Sequence, residues 1–284
     1  MVASKRLDTV NLGAEEFRDF RDYLQAIAGI NLGDNKQYLV ATRIRRVLSD
    51  NDCVSLSDLT RLIRMPRGAE LRQKVIDVMT TNETFWFRDN YPFDYLKNKI
   101  LPELHKQSHG ARMRIWSAAC SFGQEPYSLS MTVDECIKAN FAIRDLNVEI
   151  VATDLSSEAL DQAKKGVYDQ LSMSRGMSDQ RLREYFKRVE NGRWQANSSV
   201  GKRINFRPQN LQDSYAALGK FDIICCRNVL IYFSAELKKD ILTRLHASLK
   251  PNGVLFLGSS ESLAAASPLF DMVHCNPGVM YRAK

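Results

Sequence analysis

Apolar residues recur at helical spacing along the first part of the chain and in short unbroken runs along the rest. Over residues 14–30, Phe17, Phe20, Tyr23, Leu24 and Ile27 fall on one face of a helix, and Gly29 is its stop. Residues 34–51 give a second amphipathic helix with Leu39, Val40, Ile44, Val47 and Leu48 on its apolar side. A third starts after Ser55 or Ser57 as N-cap and ends before Pro66. A fourth covers 68–84. Residues 1–78 thus predict an all-helical N-terminal domain of short hairpins, and 79–109 a linker helix region.

After residue 110 the period changes. The runs "RMRIWSA", "VEIVATD", "FDIICCR" and "GVLFLGS" are too short for core helices, and three are rich in β-branched residues. The helical stretches 126–140, 157–168 and 234–250 separate them. Such alternation predicts an α/β domain over 110–284, with a parallel sheet covered by helices on both faces. Residues 168–210 break the rhythm. Turn signals at Asn191-Gly192 and from Ser199 to Gly201 predict a small antiparallel β insert around 188–206. A last strand around "VMYRA" is expected to pair antiparallel at the end of the sheet.

Composition narrows the function. The 284 residues are 44% hydrophobic and 26% charged, enough for one large domain or two modest ones. No run of 18 apolar residues is present, and the first residues lack the apolar core of a signal peptide, so a cytoplasmic protein that is not membrane-inserted is expected. The six cysteines form no CxxC pair and read as reduced thiols. The four histidines offer only the i, i+4 pair His105 and His109, so no metal site is expected. The net charge of +7 comes without a nucleic-acid motif or long basic run, so no nucleic acid is expected as partner. At about 100° per residue, Lys36, Arg43 and Arg46 share an arc of roughly 80° beside the apolar stripe of the second helix. They form either a solvated face or a docking surface for an acidic helix.

The stretch "RIWSAACSFGQEPYSLS", 114–130, reads as strand, tight turn and helix. Ligands of parallel sheets sit outside the carboxyl ends of the strands. The turn is built of small residues, which let the backbone approach a ligand, but it holds only Gly123 where a dinucleotide fingerprint wants three glycines. Glu125 at the helix mouth repels phosphate and suits a cationic or hydroxyl-bearing ligand, and S-adenosylmethionine fits that description. Asp154, ending "VATD", is placed to accept ribose hydroxyls or to cap the following helix, and the two roles are compatible. The strand ending in Arg227-Asn228 runs into Tyr232 and Phe233, which suits a reacting centre. "LHASLKPNGVLFLGSSES", in which a helix ends, Pro251-Asn252-Gly253 turns and a strand follows, reads as structural punctuation and not as a site.

Together "TNETFWFR" (81–88), "WSAACSFGQEPYS" (116–128), "ATDLS" (152–156), "CRNVLIYF" (226–233) and "LKPNGVLFLGSSE" (249–261) resemble the chemotaxis receptor methyltransferases of the CheR type. The resemblance implies a Rossmann-like class I methyltransferase domain behind the helical one. It implies methyl transfer from S-adenosylmethionine to glutamate side chains on the cytoplasmic helical bundle of chemoreceptors, with S-adenosylhomocysteine as product. Carried over by position, the cofactor contacts fall on Asn82, Thr84, Arg88, Glu125, Asp154, Asn210, Leu211, Asn228 and Val229. Arg88 and Tyr232 are linked to the reacting end, and Lys36, Arg43 and Arg46 to receptor docking.

An ionised glutamate needs no general base to attack a methyl sulfonium, which matches a sequence without an obvious catalytic His or Cys constellation. Some CheR-type enzymes carry a Gly-x-Gly loop in the β insert that pairs with a receptor's C-terminal pentapeptide. Here "KRVENGRWQANSSVG" has only single glycines, Gly192 and Gly201, and no such tethering is expected. Other readings are a methyltransferase of the same fold with another substrate, and a cofactor sensor without turnover. A nicotinamide oxidoreductase is disfavoured by the missing glycines and by Glu125.

Overall fold

The computed structural model describes residues 12–108 and 110–284. They divide into two compact units: the described residues up to Thr81 with Tyr232–Ser234, and Asn82–Ile231 with Ala235–Lys284.

The first unit is helical. Helix α1 (Ala14–Ala28) buries Phe17, Phe20 and Leu24, and Gly29 closes it in the left-handed conformation, φ 72°, its N–H donating to Gln25 O. Helix α2 (Gln37–Asp50) buries Val40, Ile44, Val47 and Leu48. Helix α3 (Leu56–Arg64) is capped by the Ser55 hydroxyl, which accepts from Asp58 N–H, and α4 (Ala69–Met79) completes the set. Residues Asp34–Lys36 are a separate 3₁₀ turn, so the helical phase linking Arg43 and Arg46 does not extend to Lys36. Gly33 and Asp34 are turn formers and favour that break.

The second unit opens with α5 (Tyr91–Tyr95), a π segment at Leu96–Ile100 and α6 (Leu101–Ser108). Trp86, Phe93, Leu96, Ile100 and Leu101 lie in its core, so the expected linker is part of this unit's packing. Then follow β1 (Met113–Ala118), α7 (Gln124–Ala139), β2 (Val148–Asp154) and α8 (Ser157–Lys165). The insert contains β3 (Val167–Tyr168), α9 (Gln170–Ser174), α10 (Asp179–Tyr185), β4 (Phe186–Arg188), β5 (Trp194–Ala196) and α11 (Ser198–Gly201). The chain returns through β6 (Ile204–Pro208), β7 (Phe221–Cys226), α12 (Ala235–Ser248), β8 (Leu249–Leu257), β9 (Phe270–His274) and β10 (Val279–Ala283).

The main sheet has the order β6-β2-β1-β7-β8-β10-β9. Its first five strands are parallel, and β10 runs antiparallel to β8 and β9. Two details differ from the sequence expectation. The "VMYRA" strand is internal, with β9 at the edge. The antiparallel insert is the three-stranded sheet β3-β5-β4, whereas 204–208 is the parallel edge strand β6. An edge strand packs less of its surface, so β6 carries a mixed pattern with no fully buried residue and does not read as a sheet strand. No helix among the described residues is long and apolar enough to cross a membrane.

Candidate functional site

The carboxyl ends of β1, β2, β6, β7 and β8 carry one linked set of polar contacts. The turn after β1 holds three residues at positive φ: Ala119 (61°), Ser121 (52°) and Gly123 (93°). Gly123 is required twice over, because a Cβ there would lie 2.9 Å from both Ala163 Cβ and the Tyr168 hydroxyl. The turn is fixed to β2 by Cys120 N–H, which donates to Thr153 O at 2.8 Å.

On one side of the site, Asp154 Oδ2 accepts from Ser121 N–H at 2.7 Å and Oδ1 accepts from Ser156 N–H at 2.9 Å. The Ser121 hydroxyl donates to Asn82 O at 2.8 Å. Gln209 N–H donates to Asp154 O at 3.0 Å, which brings the end of β6 alongside β2. Asn210 follows directly, its Oδ1 accepting from Gln212 N–H at 3.0 Å, and Leu211 is buried. The N-cap of α8 is Ser156, whose hydroxyl accepts from Ala159 N–H, so the capping role that the sequence allowed for Asp154 belongs to Ser156, and Asp154 instead holds the turn after β1 and the start of the cap.

On the other side, Glu125 accepts from the Ser117 hydroxyl at 2.7 Å and from Arg227 Nη1 at 3.0 Å. Arg227 Nη2 also donates to Asp89 Oδ2 and to Arg88 O, both at 2.7 Å. The Arg227 side chain is only 2% exposed and Glu125 14% exposed, so the pair is shielded from water. Burial pushes the Glu125 carboxyl up, and Arg227, Ser117 and the field of Arg88 pull back against it. Arg227 itself is held more firmly charged than an ordinary arginine, its carboxylate neighbours outweighing burial. The sequence suggested Glu125 as a bare negative charge at the helix mouth. In the structure its charge is balanced internally, as a buried carboxylate requires.

Arg88 donates from Nη1 to Glu83 O at 3.2 Å and stacks on Phe85 with 5.2 Å to the ring centroid. Thr84 lies half-buried in the same irregular segment as Asn82 and Arg88. Asn228 is held at φ 59° after β7. Its N–H donates to Glu261 Oε2 at 2.7 Å, as does Gly258 N–H at 2.8 Å, while Ile231 N–H reaches Oε1 at 3.3 Å. Glu261 therefore ties the Asn228-Val229 loop to the end of β8. Sequence reasoning missed it and Asp89; the "GSSE" motif was the available signal for Glu261.

Tyr232 groups with the helical unit, where its carbonyl accepts from Asn31 N–H at 2.9 Å. In the same unit Arg43 donates to Met79 O at 2.8 Å, Thr80 O at 3.1 Å and Thr81 Oγ1 at 2.9 Å, so it closes the carboxyl end of α4. Arg46 is 91% exposed and pairs with Asp50 at 3.5 Å. His105 Nε2 lies 3.3 Å from Asp145 Oδ1, and His109 is outside the described residues.

Several buried polar atoms at the strand ends have no protein partner: Arg227 Nε, Asn228 Oδ1 and Gln124 Oε1. With the glycine-cleared turn, they leave a cradle with both donor and acceptor capacity, which fits the hydroxyl, amino and carboxylate groups of S-adenosylmethionine.

Comparison with known proteins agrees with this arrangement. Residues 82–279 match the family described as CheR methyltransferase, SAM binding domain, and residues 15–80 match its all-alpha domain. The chain is 54% identical to chemotaxis protein methyltransferase 1 of Pseudomonas aeruginosa, over 95% of this chain and 98% of that one. It is 51% identical to chemotaxis protein methyltransferase Cher2 of Pseudomonas putida, over 97% and 100%. Identity to a chemotaxis protein methyltransferase of Vibrio parahaemolyticus is 47%, over 98% and 100%.

Proposed function

The chain belongs to the CheR methyltransferase family, and on that premise we propose that it methylates glutamate side chains of chemoreceptors, using S-adenosylmethionine and releasing S-adenosylhomocysteine. The observation that supports this best is the joined pair of clusters at the strand ends. One is Asn82–Ser121–Asp154, suited to an adenosine. The other is Glu125–Arg227–Arg88, suited to an amino-acid portion.

When bound, S-adenosylmethionine supplies a methyl group activated by its sulfonium. The acceptor carboxylate is already ionised near neutral pH, so the chain's own work is alignment and exclusion of water, worth roughly 7–11 kcal/mol. Asp154 is the ribose acceptor in this reading, and Glu125 meets the cofactor's amino group while Arg227 keeps the pair neutral. Thr84, Asn210, Leu211, Asn228 and Val229 line the rest. Arg88 steadies one oxygen of a carboxylate, because a tight bidentate pair would quench the nucleophile. The Tyr232 hydroxyl orients the other partner.

Each transfer removes one negative charge from a receptor helix and relieves repulsion in an acidic bundle, which makes methylation a tuning device in the cytoplasm. Of Lys36, Arg43 and Arg46, Arg46 is the docking charge that this reading keeps on the exposed face of α2, since Arg43 is engaged at the end of α4 and Lys36 lies in the turn before the helix. Without a Gly-x-Gly loop the β insert leaves receptor tails untethered; a saturable isotherm for a receptor C-terminal pentapeptide would refute that.

The decisive experiment is transfer of labelled methyl to receptor-containing membranes, followed by mild base. Volatile methanol released from the receptor band establishes a glutamate methyl ester. No transfer, with S-adenosylhomocysteine still bound, sinks the receptor substrate and favours a methyltransferase of the same fold acting elsewhere.

A further inference from the structure

The methyltransferase unit has a second concave site. A groove of about 810 Å³ lies between the carboxyl end of α8, the small sheet and the edge strand β6. Its lining includes none of the residues assigned to the cofactor. We propose that this groove binds an anion carrying several phosphates, of the nucleotide or inorganic polyphosphate class.

Charge is the first argument. Every charged residue in the lining is a lysine: Lys164, Lys165, Lys187 and Lys202. They come from three separate parts of the chain. Lys164 has Asp161 at 3.6 Å, but Lys165, Lys187 and Lys202 form no ion pair among the described residues. The helix dipole explains part of this, because cations in the last turn of α8 offset its negative end. That accounts for Lys164 and Lys165 and leaves Lys187 on β4 and Lys202 before β6 unexplained. Like charges facing one cleft repel, and a single Asp or Glu in the lining would relieve them. An anionic occupant supplies the missing charge, and lysine binds phosphate as a point charge.

Shape and chemistry are the second. The volume falls in the range of small-molecule pockets, about 300–1,000 Å³. Gln195 and Asn205 add amide groups, while the Asn197 amide is taken up by Glu184 O at 3.0 Å. Ile204 and Phe206 give an apolar floor, and the Phe206 ring lies 6.0 Å from Tyr127. Such a floor takes the face of a base and leaves the lysines to the phosphates. β6 then runs on to Gln209, whose N–H bonds Asp154 O, so occupancy of the groove has a direct mechanical route to the cofactor turn.

The test is calorimetric titration of tripolyphosphate and of ATP into the full chain, saturated with S-adenosylhomocysteine to fill any adenosine site, at about physiological salt. Both anions are expected to bind with one-to-one stoichiometry. Lys187→Glu and Lys202→Glu are each expected to weaken them by about tenfold, with unfolding temperature and S-adenosylhomocysteine affinity unchanged. Tighter binding of ATP than of tripolyphosphate assigns a nucleotide; equal binding assigns the phosphate chain alone. The proposal is overturned by absence of saturable binding, by binding that both lysine variants leave unchanged, or by a tri-glutamate peptide that binds as well as tripolyphosphate. Failure to bind S-adenosylhomocysteine is scored in its own titration and counts against the proposed function instead.

Discussion

Arg227 donates from Nη1 to Glu125 Oε2 at 3.0 Å, across 102 residues of sequence. The same guanidinium bridges to Asp89, so one buried cation is shared between the shielded Glu125 and the more exposed Asp89 beside the cofactor turn. Removing one member of such a set leaves the others charged, shielded and unpaired. Arg227→Met is therefore expected to cost about 3–5 kcal/mol in urea unfolding and to abolish cofactor binding. A loss below about 1 kcal/mol would show that the carboxylates are solvated after all.

Arg43 and Arg46 separate two roles that sequence spacing merges. Arg43→Ala exposes the orphan carbonyls at the end of α4, so a stability loss of roughly 1–2 kcal/mol is expected. Arg46→Glu reverses an exposed charge and is expected to leave stability within about 0.5 kcal/mol. It is also expected to slow receptor methylation at low salt, with the salt dependence reduced. Thermal unfolding and initial methylation rates, measured in parallel, decide it. Equal loss of stability in both variants would contradict the assignment.

The contrast shows what the sequence could carry. The helix stop at Gly29, a serine cap at Ser55 or Ser57 that the structure gives to Ser55, the four buried parallel strands and the glycine at position 123 were legible because each depends on neighbours in the chain. The pairing of Glu125 with Arg227 and the triple grip of Glu261 depend on which strands lie side by side, and residue spacing does not encode that. β6 escaped because an edge strand has no strong apolar signature. Arg43 looked like a surface charge because helical phase gives the direction of a side chain and not the carbonyls waiting for it.

Glu261 holds the Asn228 loop through the N–H groups of Asn228 and Ile231 and accepts a third from Gly258 at the end of β8, and the loop carries proposed cofactor contacts. In Glu261→Gln one acceptor oxygen becomes an NH₂ facing a donor. S-adenosylhomocysteine affinity is expected to fall about tenfold, while the unfolding midpoint moves only a few degrees. Gly258→Ala strains the same contact from the other side, because its Cβ would lie 2.7 Å from Asn228 Nδ2. Both variants binding product as tightly as the parent would remove the clamp from the site.

Glu135 ties the insert to α7. Arg181 grips it in a fork, with Nε 2.7 Å from Oε1 and Nη2 3.1 Å from Oε2, and Lys97 lies 3.3 Å away. Burial alone would raise this carboxyl, but Arg181 and Lys97 outweigh it and hold it below the ordinary glutamate value of 4.5. A carboxyl depressed in the folded state stabilises fully above the unfolded value and loses that contribution as pH falls through the folded one. Glu135→Gln is therefore expected to be less stable than the parent by about 1.5–3 kcal/mol near neutrality. The gap should stay constant down to about pH 5.5, begin to narrow near 4.5 as the unfolded carboxyl takes up its proton, and close once the pH falls below the folded value, where both states are protonated. Urea unfolding of both proteins across that range is the measurement. A gap that persists unchanged into acid would mean that Glu135 acts by packing and not by its charge.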